Sequence, residues 1–196
     1  MELTANELAC LRGAKDRLVD LSKLLSSGET PPLSAPPGEW FRYLTAIKEI
    51  QGNFSNDLSF VSCLMAKEYL AARLNLPVFD VAEKPQGANG LDIDEMTLDG
   101  QRVIGEIKTT TPHHVVRFGA AQIASMRKDF AKLQHHVADH KFMFVTDAAS
   151  FEVLRRRYQQ HLAGITVVCL STGEDVVFPM ATVLESADVK LALPTT

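Results

Sequence analysis

Cysteine is scarce in this chain. Cys10, Cys63 and Cys169 are odd in number and far apart. That usage excludes a disulfide framework and points to reduced thiols in a cytoplasm. No apolar run approaches the length of a membrane span, and Met1-Glu2-Leu3-Thr4 lacks the basic-then-apolar pattern of a secretory signal. The expectation is a cytoplasmic protein with no membrane partner. There is no glycine-flanked elbow for a serine or cysteine nucleophile, and no phosphate-cradling glycine loop followed by lysine. Repeats and low-complexity segments are absent too.

The 196 residues are 46% hydrophobic, enough to bury a good core. Thr4 and Glu7 form a capping box opening a helix whose Leu11, Ala14, Leu18, Leu21 and Leu25 make a packing stripe. Ser26-Ser27-Gly28 ends that helix, and Pro31, Pro32, Pro36 and Pro37 mark a stiff linker. A second helix carries Trp40, Tyr43, Leu44 and Ile47 on one face and breaks at Gln51-Gly52-Asn53. A long helix follows over 55–74, then a strand over 76–80 and an acidic hairpin. After Pro112 a helix shows Ile123, Met126, Phe130, Leu133 and Val137 at helical spacing. The pattern continues as strand 141–146, helix 150–162 ended by Gly164, strand 165–170 and one more strand within 176–184. Helix, three strands, helix, strand, helix, strand implies an α/β layer arrangement with a mixed central sheet. Residues 1–52 read as an N-terminal helical extension and 53–196 as the main domain.

The hairpin carries the chemistry. Gly90-Leu91-Asp92-Ile93-Asp94 and Val103-Ile104-Gly105-Glu106-Ile107-Lys108 are two runs joined by a short polar tip. Side chains alternate along a strand, so Glu106 and Lys108 share one face, and Asp92 and Asp94 share one face with Leu91 and Ile93 opposite. A two-residue turn at Asp99-Gly100 would set Asp92 against Ile107, with the carboxylates on opposite faces. A three-residue loop, Leu98-Asp99-Gly100, with Gly100 left-handed, pairs Thr97 with Gln101 and sets Asp92 opposite Glu106. Two facing acids repel unless something neutralises them. A divalent cation would do so, held by carboxylate oxygens, with a lysine beside it for charge. The spacing therefore predicts the bulged turn.

Asp92 followed by Glu106-x-Lys108 on the next strand resembles the PD-(D/E)XK nuclease superfamily, most of all a type II restriction endonuclease. The likeness covers roughly residues 55 to 170. The proline of the motif is replaced by Leu91. Further agreement comes from Gly87-Ala88-Asn89-Gly90 before the acidic strand, Thr109-Thr110-Thr111 after the lysine, and Glu68 on the preceding helix. The resemblance implies a restriction-endonuclease-like three-layer core, with the N-terminal helices added to it. It implies a Mg²⁺-dependent endonuclease cutting double-stranded DNA, with Mn²⁺ able to substitute. Asp92, Glu106, the Ile107 carbonyl and Glu68 would hold the metal, and Lys108 would act on the water and phosphate. It also implies a homodimer and, for a restriction enzyme, a cognate DNA methyltransferase. A repair or Holliday-junction nuclease of the same fold is the near alternative, and a non-catalytic nucleic-acid-binding module the distant one. The net charge of −4 requires any DNA-binding basic residues to be segregated onto one face.

Other residues carry two readings each. Asp94 could replace Asp92 as ligand, although the family pattern favours Asp92, and Asp57 is the fallback for Glu68. Lys108 could simply offset the acids as an ion pair. His113-His114 and His135-His136 are adjacent pairs that do not converge on one ion, so zinc is disfavoured, although the first pair could flank the cleft. Arg155-Arg156-Arg157 reads as a wet helix face or as phosphate contacts. Gln122 is either a near-site polar group or core-edge packing. Lys84, Gln86 and Asn89 could touch nucleic acid or be ordinary loop residues. The leucine stripe of the first helix either supports self-association or folds back on the second helix.

Overall fold

The computed structural model describes residues 2–84, 88–112 and 117–179. It contains α1 (Ala5–Ser26), α2 (Pro37–Gln51), α3 (Phe54–Arg73), β1 (Ile93–Met96), β2 (Arg102–Lys108), α4 (Ala120–His135), β3 (His140–Val145), α5 (Ala148–Arg157), β4 (Thr166–Cys169) and β5 (Asp175–Val177). The five strands form one mixed sheet in the order β1-β2-β3-β4-β5. β1 and β5 run antiparallel to their neighbours, and the three central strands are parallel. The fold is α/β, and its sheet is covered on both faces.

Strand alternation explains the two covers. Val103, Phe142, Phe144 and Val168 join Ile93 in a core against Ala66, Tyr69 and Leu70 of α3. Ile104, Met143, Val145 and Val167 point the other way, into Met126, Phe130 and Leu133 of α4 and Phe151 and Leu154 of α5. Gly105 sits mid-strand between these layers because a Cβ there would lie 3.1 Å from the Phe144 ring and 3.4 Å from Ile93 Cβ. A larger residue would push the hairpin off the sheet.

The hairpin tip takes the three-residue form. Thr97 N–H donates to the Gln101 carbonyl at 2.8 Å, Gly100 N–H donates to the Thr97 carbonyl at 3.0 Å, and Gly100 has φ +84°. Thr97 Oγ1 accepts the Gln101 N–H at 2.8 Å and locks the turn from its side chain. The ladder then runs Met96↔Arg102, Glu95↔Val103, Asp94↔Ile104 and Ile93↔Gly105. The ladder stops there, and Asp92, at a bend one residue before β1, meets the neighbouring strand through the Ile107 N–H at 2.7 Å.

The N-terminal helices attach through a buried ion pair. The expected capping box is present: Glu7 N–H donates to Thr4 Oγ1 at 3.2 Å, and Thr4 N–H donates to Glu7 Oε2 at 2.9 Å. Glu7 then does more than cap. Its carboxylate also accepts two bonds from Lys67 Nζ of α3, at 2.9 and 2.8 Å, and one from the Val81 N–H at 3.0 Å. α1 also packs against α2, which begins at Pro37 and ends before Gly52 at φ +59°.

Several sequence expectations need correction. Residues 76–80 form no strand, so among the described residues two strands, not three, precede α4. Pro77 offers no donor to a ladder, and Leu76 and Phe79 act as packing against the α3 core instead. Leu91 and Ile93 do not share a face: Leu91 joins the α4–α5 core while Ile93 joins the α3 core. The chain bends at Asp92, just before β1 begins. Val137 lies beyond the end of α4 and is 87% exposed. α5 stops at Arg157, followed by a short 3-10 turn over Gln159–His161, well before Leu162. Along α1, Leu11, Ala14 and Leu21 are half-buried, while Leu18 and Leu25 are exposed. The predicted last strand is present as β5, and its part from residue 180 onward lies outside the described residues.

Candidate active site

At the open end of the hairpin, β1 ends its pairing and the chain bends away, leaving a cavity of about 380 Å³. Asp92, Glu106, Ile107 and Lys108 line it from the hairpin, Asn89 and Gly90 from the preceding loop, Ser59 and Cys63 from α3, and Asp129 and Lys132 from α4. Three carboxylates and two ammonium groups therefore share one small space. The sheet sets the first set and the docking of α4 sets the second.

Each charged group has a defined partner. Asp92 Oδ2 accepts the Ile107 N–H at 2.7 Å. Glu106, only 2% exposed, accepts from Lys132 Nζ at 3.0 Å, and the same ammonium donates to the Gly90 carbonyl at 2.9 Å. Lys108 Nζ donates to Ser125 Oγ at 3.1 Å and lies 2.7 Å from Asp129 Oδ2. That Asp129 oxygen is buried and accepts no well-directed hydrogen bond, so the contact is an ion pair without the geometry of a bond. Ser125, Asp129 and Lys132 recur at helical spacing along one flank of α4, beside the apolar stripe of Met126, Phe130 and Leu133.

Electrostatics follow from this crowding. Burial pushes Glu106 up to about 7, the Asp92 charge adds to the push, and Lys132 offsets only part of it. Burial raises the Asp92 pKa against the Ile107 N–H, Lys108 and Lys132, with the Asp129 charge adding to the rise. For Lys132 burial acts downward, but the hydrogen bond and charge of Glu106 outweigh it, and the ammonium is held above its usual range. The Cys63 thiol is pushed up to about 12 by burial, with Asp92 adding to the effect, so it is not a thiolate nucleophile at neutral pH.

Not every predicted residue reaches the cavity. Asp94 turns to Arg102, which grips it through Nε at 2.9 Å and a terminal nitrogen at 2.8 Å, so of the two hairpin acids only Asp92 lines the cavity. Glu68 is exposed on α3, away from the α3 residues that face the cavity, Ser59 and Cys63. Its helix is rotated by the burial of Phe60, Leu64, Ala66, Lys67 and Leu70. Asp57 is taken by Arg17 of α1. Gln122 serves a helix start: its Oε1 accepts the Gly119 N–H at 2.8 Å and its Nε2 donates to the Thr111 carbonyl at 2.8 Å. Arg155 and Arg156 both pair with Glu152. Asn89 lines the cavity, whereas Lys84 lines a separate cleft beside α1. Gln86, Gly87, His113 and His114 lie outside the described residues. His135 and His136 fall at the exposed end of α4.

Sequence reasoning missed Lys132, Asp129 and Ser125. Their i, i+4, i+7 spacing on a helix otherwise read for its apolar stripe was the available signal.

The donor set suits a hard divalent cation. Successive strand residues address opposite neighbours with their backbone groups. Lys108 gives its carbonyl to Thr146 N–H on the β3 side, and Ile107 N–H goes to Asp92 on the β1 side. The Ile107 carbonyl therefore also faces the β1 edge, next to Asp92 and Glu106. Two carboxylates and a carbonyl are all oxygen ligands. Among the described residues no three His, Cys, Asp or Glu side chains converge as an ion cage. Completing a coordination shell would fall to water or a substrate phosphate.

Comparison with family models, with curated proteins and with solved structures returns no match. The described helices include none long and apolar enough to cross a membrane.

Proposed function

We propose that this protein is a metal-dependent endodeoxyribonuclease of the PD-(D/E)XK type, with a restriction-endonuclease-like core, acting on double-stranded DNA. The observation that carries the reading is the hairpin register, which brings Asp92, Glu106 and Lys108 into one cavity. Mg²⁺, when bound, supplies a Lewis acid for the scissile phosphate and lowers the pKa of a coordinated water. Asp92, Glu106 and the Ile107 carbonyl would hold it, and Mn²⁺ fits the same oxygens. Glu106 serves as a ligand only when deprotonated, so its raised pKa makes occupancy improve through neutral pH. Lys108 places a fixed positive charge at the cavity, where it stabilises the extra negative charge on the phosphate in the transition state. Asp129 and Ser125 hold that ammonium in position. Glu68 has no part in this scheme as placed.

Among nucleases of this type the restriction endonuclease is favoured. A homodimer, a cognate methyltransferase and a cytoplasmic setting belong to that proposal. A second reading has its own support: Lys132 and Lys108 already neutralise Glu106 and Asp129, which suits a non-catalytic nucleic-acid-binding module. Incubation of supercoiled plasmid with purified protein separates the two. Nicked or linear product with Mg²⁺, absent with EDTA, supports the nuclease. Binding without cleavage under Mg²⁺ or Mn²⁺ supports the module.

A further inference from the structure

Charge is unevenly spread along this chain. Residues 117–161 contain eight Lys and Arg against four Asp and Glu, although the whole chain has twenty against twenty-four. This basic stretch is α4, β3 and α5, and both helices cover the same sheet face. An acidic protein thus carries one basic layer, the one that also supplies Lys132 to the cavity.

Within that layer is a second cleft, about 450 Å³, between α4 and α5. Arg117 and Arg157 line it together with Tyr158, Ala120, Ile123 and Val153. Both arginines are exposed, and among the described residues neither has an ion-pair partner. The neighbouring Arg155 and Arg156 differ, being both held by Glu152. The cleft floor is fixed by aromatic packing, with Tyr158 against Phe118 at 6.2 Å and against Phe130 at 6.0 Å.

Helical geometry relates the cleft to the active-site cavity. Asp129 and Lys132 line the cavity, while Ala120 and Ile123 line the cleft. At 3.6 residues per turn these sets lie on opposite flanks of α4. The two sets are also about nine residues apart along the helix, roughly 13 Å at 1.5 Å per residue, so with the helix width the sites lie roughly 17 Å apart. The solvent-facing ridge between them carries exposed Lys128, with exposed Ala124 leaving room for a backbone to approach.

We propose that the Arg117–Arg157 cleft is a phosphate-binding subsite, which holds the DNA backbone on the far flank of α4 from the phosphate in the Asp92–Glu106 cavity. The strand crosses α4 over Lys128. This rests on the nuclease reading above and adds where the substrate lies. Two guanidinium groups flanking one cleft fit phosphate oxygens. Each phosphate neutralised should steepen the salt dependence of affinity by about 0.9 in log–log slope.

The test is fluorescence anisotropy of a labelled 20-base-pair duplex in Ca²⁺ over a series of salt concentrations. Wild type is compared with Arg117→Gln/Arg157→Gln, Arg117→Glu/Arg157→Glu and the control Arg155→Gln/Arg156→Gln. The glutamine pair should bind at least tenfold more weakly at low salt, with a slope shallower by about 0.9. The glutamate pair should bind more weakly still, and the control should keep the wild-type slope. Circular dichroism melting identifies any variant that has unfolded, and the glutamine pair is the milder of the two. A wild type that binds, with a glutamine pair of unchanged affinity and slope, overturns the subsite alone. A wild type with no affinity for duplex DNA overturns both the subsite and the nuclease reading.

Discussion

Two of this protein's acid–lysine pairs, Glu7–Lys67 and Glu106–Lys132, differ in what surrounds them. Glu7 and Lys67, joining α1 to α3, are both sealed from solvent, with side chains 0% and 4% exposed. The carboxylate is saturated by Lys67 and two backbone N–H groups, and the ammonium also lies 5.5 Å from the centre of the Phe79 ring. Glu106 and Lys132 pair through a single contact, Lys132 is 42% exposed, and the neighbouring Asp92 and Asp129 oppose ionisation of the glutamate. A satisfied buried pair fixes structure, because nothing else can be offered to it. A frustrated pair at a cavity mouth has capacity left for a ligand. The first pair is an anchor and the second is a site.

The largest effect on folding should come from breaking the anchor. Glu7→Gln leaves Lys67 buried without a counter-charge and offers one acceptor where three sets of donors converge. It should cost on the order of 3–5 kcal/mol in urea unfolding. A loss below about 1 kcal/mol would remove the distinction between the pairs.

Glu106→Gln should do the reverse at neutral and higher pH. The folded-state pKa near 7 lies above the ordinary 4.5, so the folded protein keeps a proton that the unfolded chain releases. Stability from this group is complete below pH 4.5 and is lost as pH rises toward 7, by about 3 kcal/mol over the window. The glutamine variant is neutral throughout. Its stability between pH 5 and pH 8 should fall less than that of wild type when each is unfolded by urea. Parallel pH profiles would show that Glu106 is ionised across the range and that the site is not frustrated.

A smaller effect is expected at the turn that aligns the site. Gly100→Val forces a β-branched residue into φ +84° and should destabilise by about 1 kcal/mol or more. Because Gly100 sets the register, Mg²⁺ affinity measured calorimetrically should weaken as well. Unchanged stability and affinity would detach the turn from the site.

How much of this was legible in the sequence depended on how local it was. The three-residue turn and the hairpin register as far as Ile93 and Gly105 followed from strand alternation and one glycine, both local properties of the hairpin. The capping box at Thr4 and Glu7 was legible for the same reason, but the partner of Glu7, sixty residues away, was not. Lys132 and Asp129 escaped because their helix had to dock before its polar flank met the hairpin. Glu68 was misplaced because core packing, not distance along the chain, sets the rotation of α3. The strand expected at 76–80 failed on Pro77, and the bend at Asp92 was invisible to a rule that assumes a continuous strand.

The central claim is that Asp92, Glu106 and Lys108 form a working metal-dependent nuclease site. The direct measurement is the Mg²⁺-dependent cleavage rate of plasmid DNA by wild type, Glu106→Ala and Lys108→Ala, each verified as folded. The account predicts cleavage by wild type and a loss of about a hundredfold or more in each variant. Near wild-type rates in either folded variant, or no cleavage by wild type with Mg²⁺ or Mn²⁺, would contradict it.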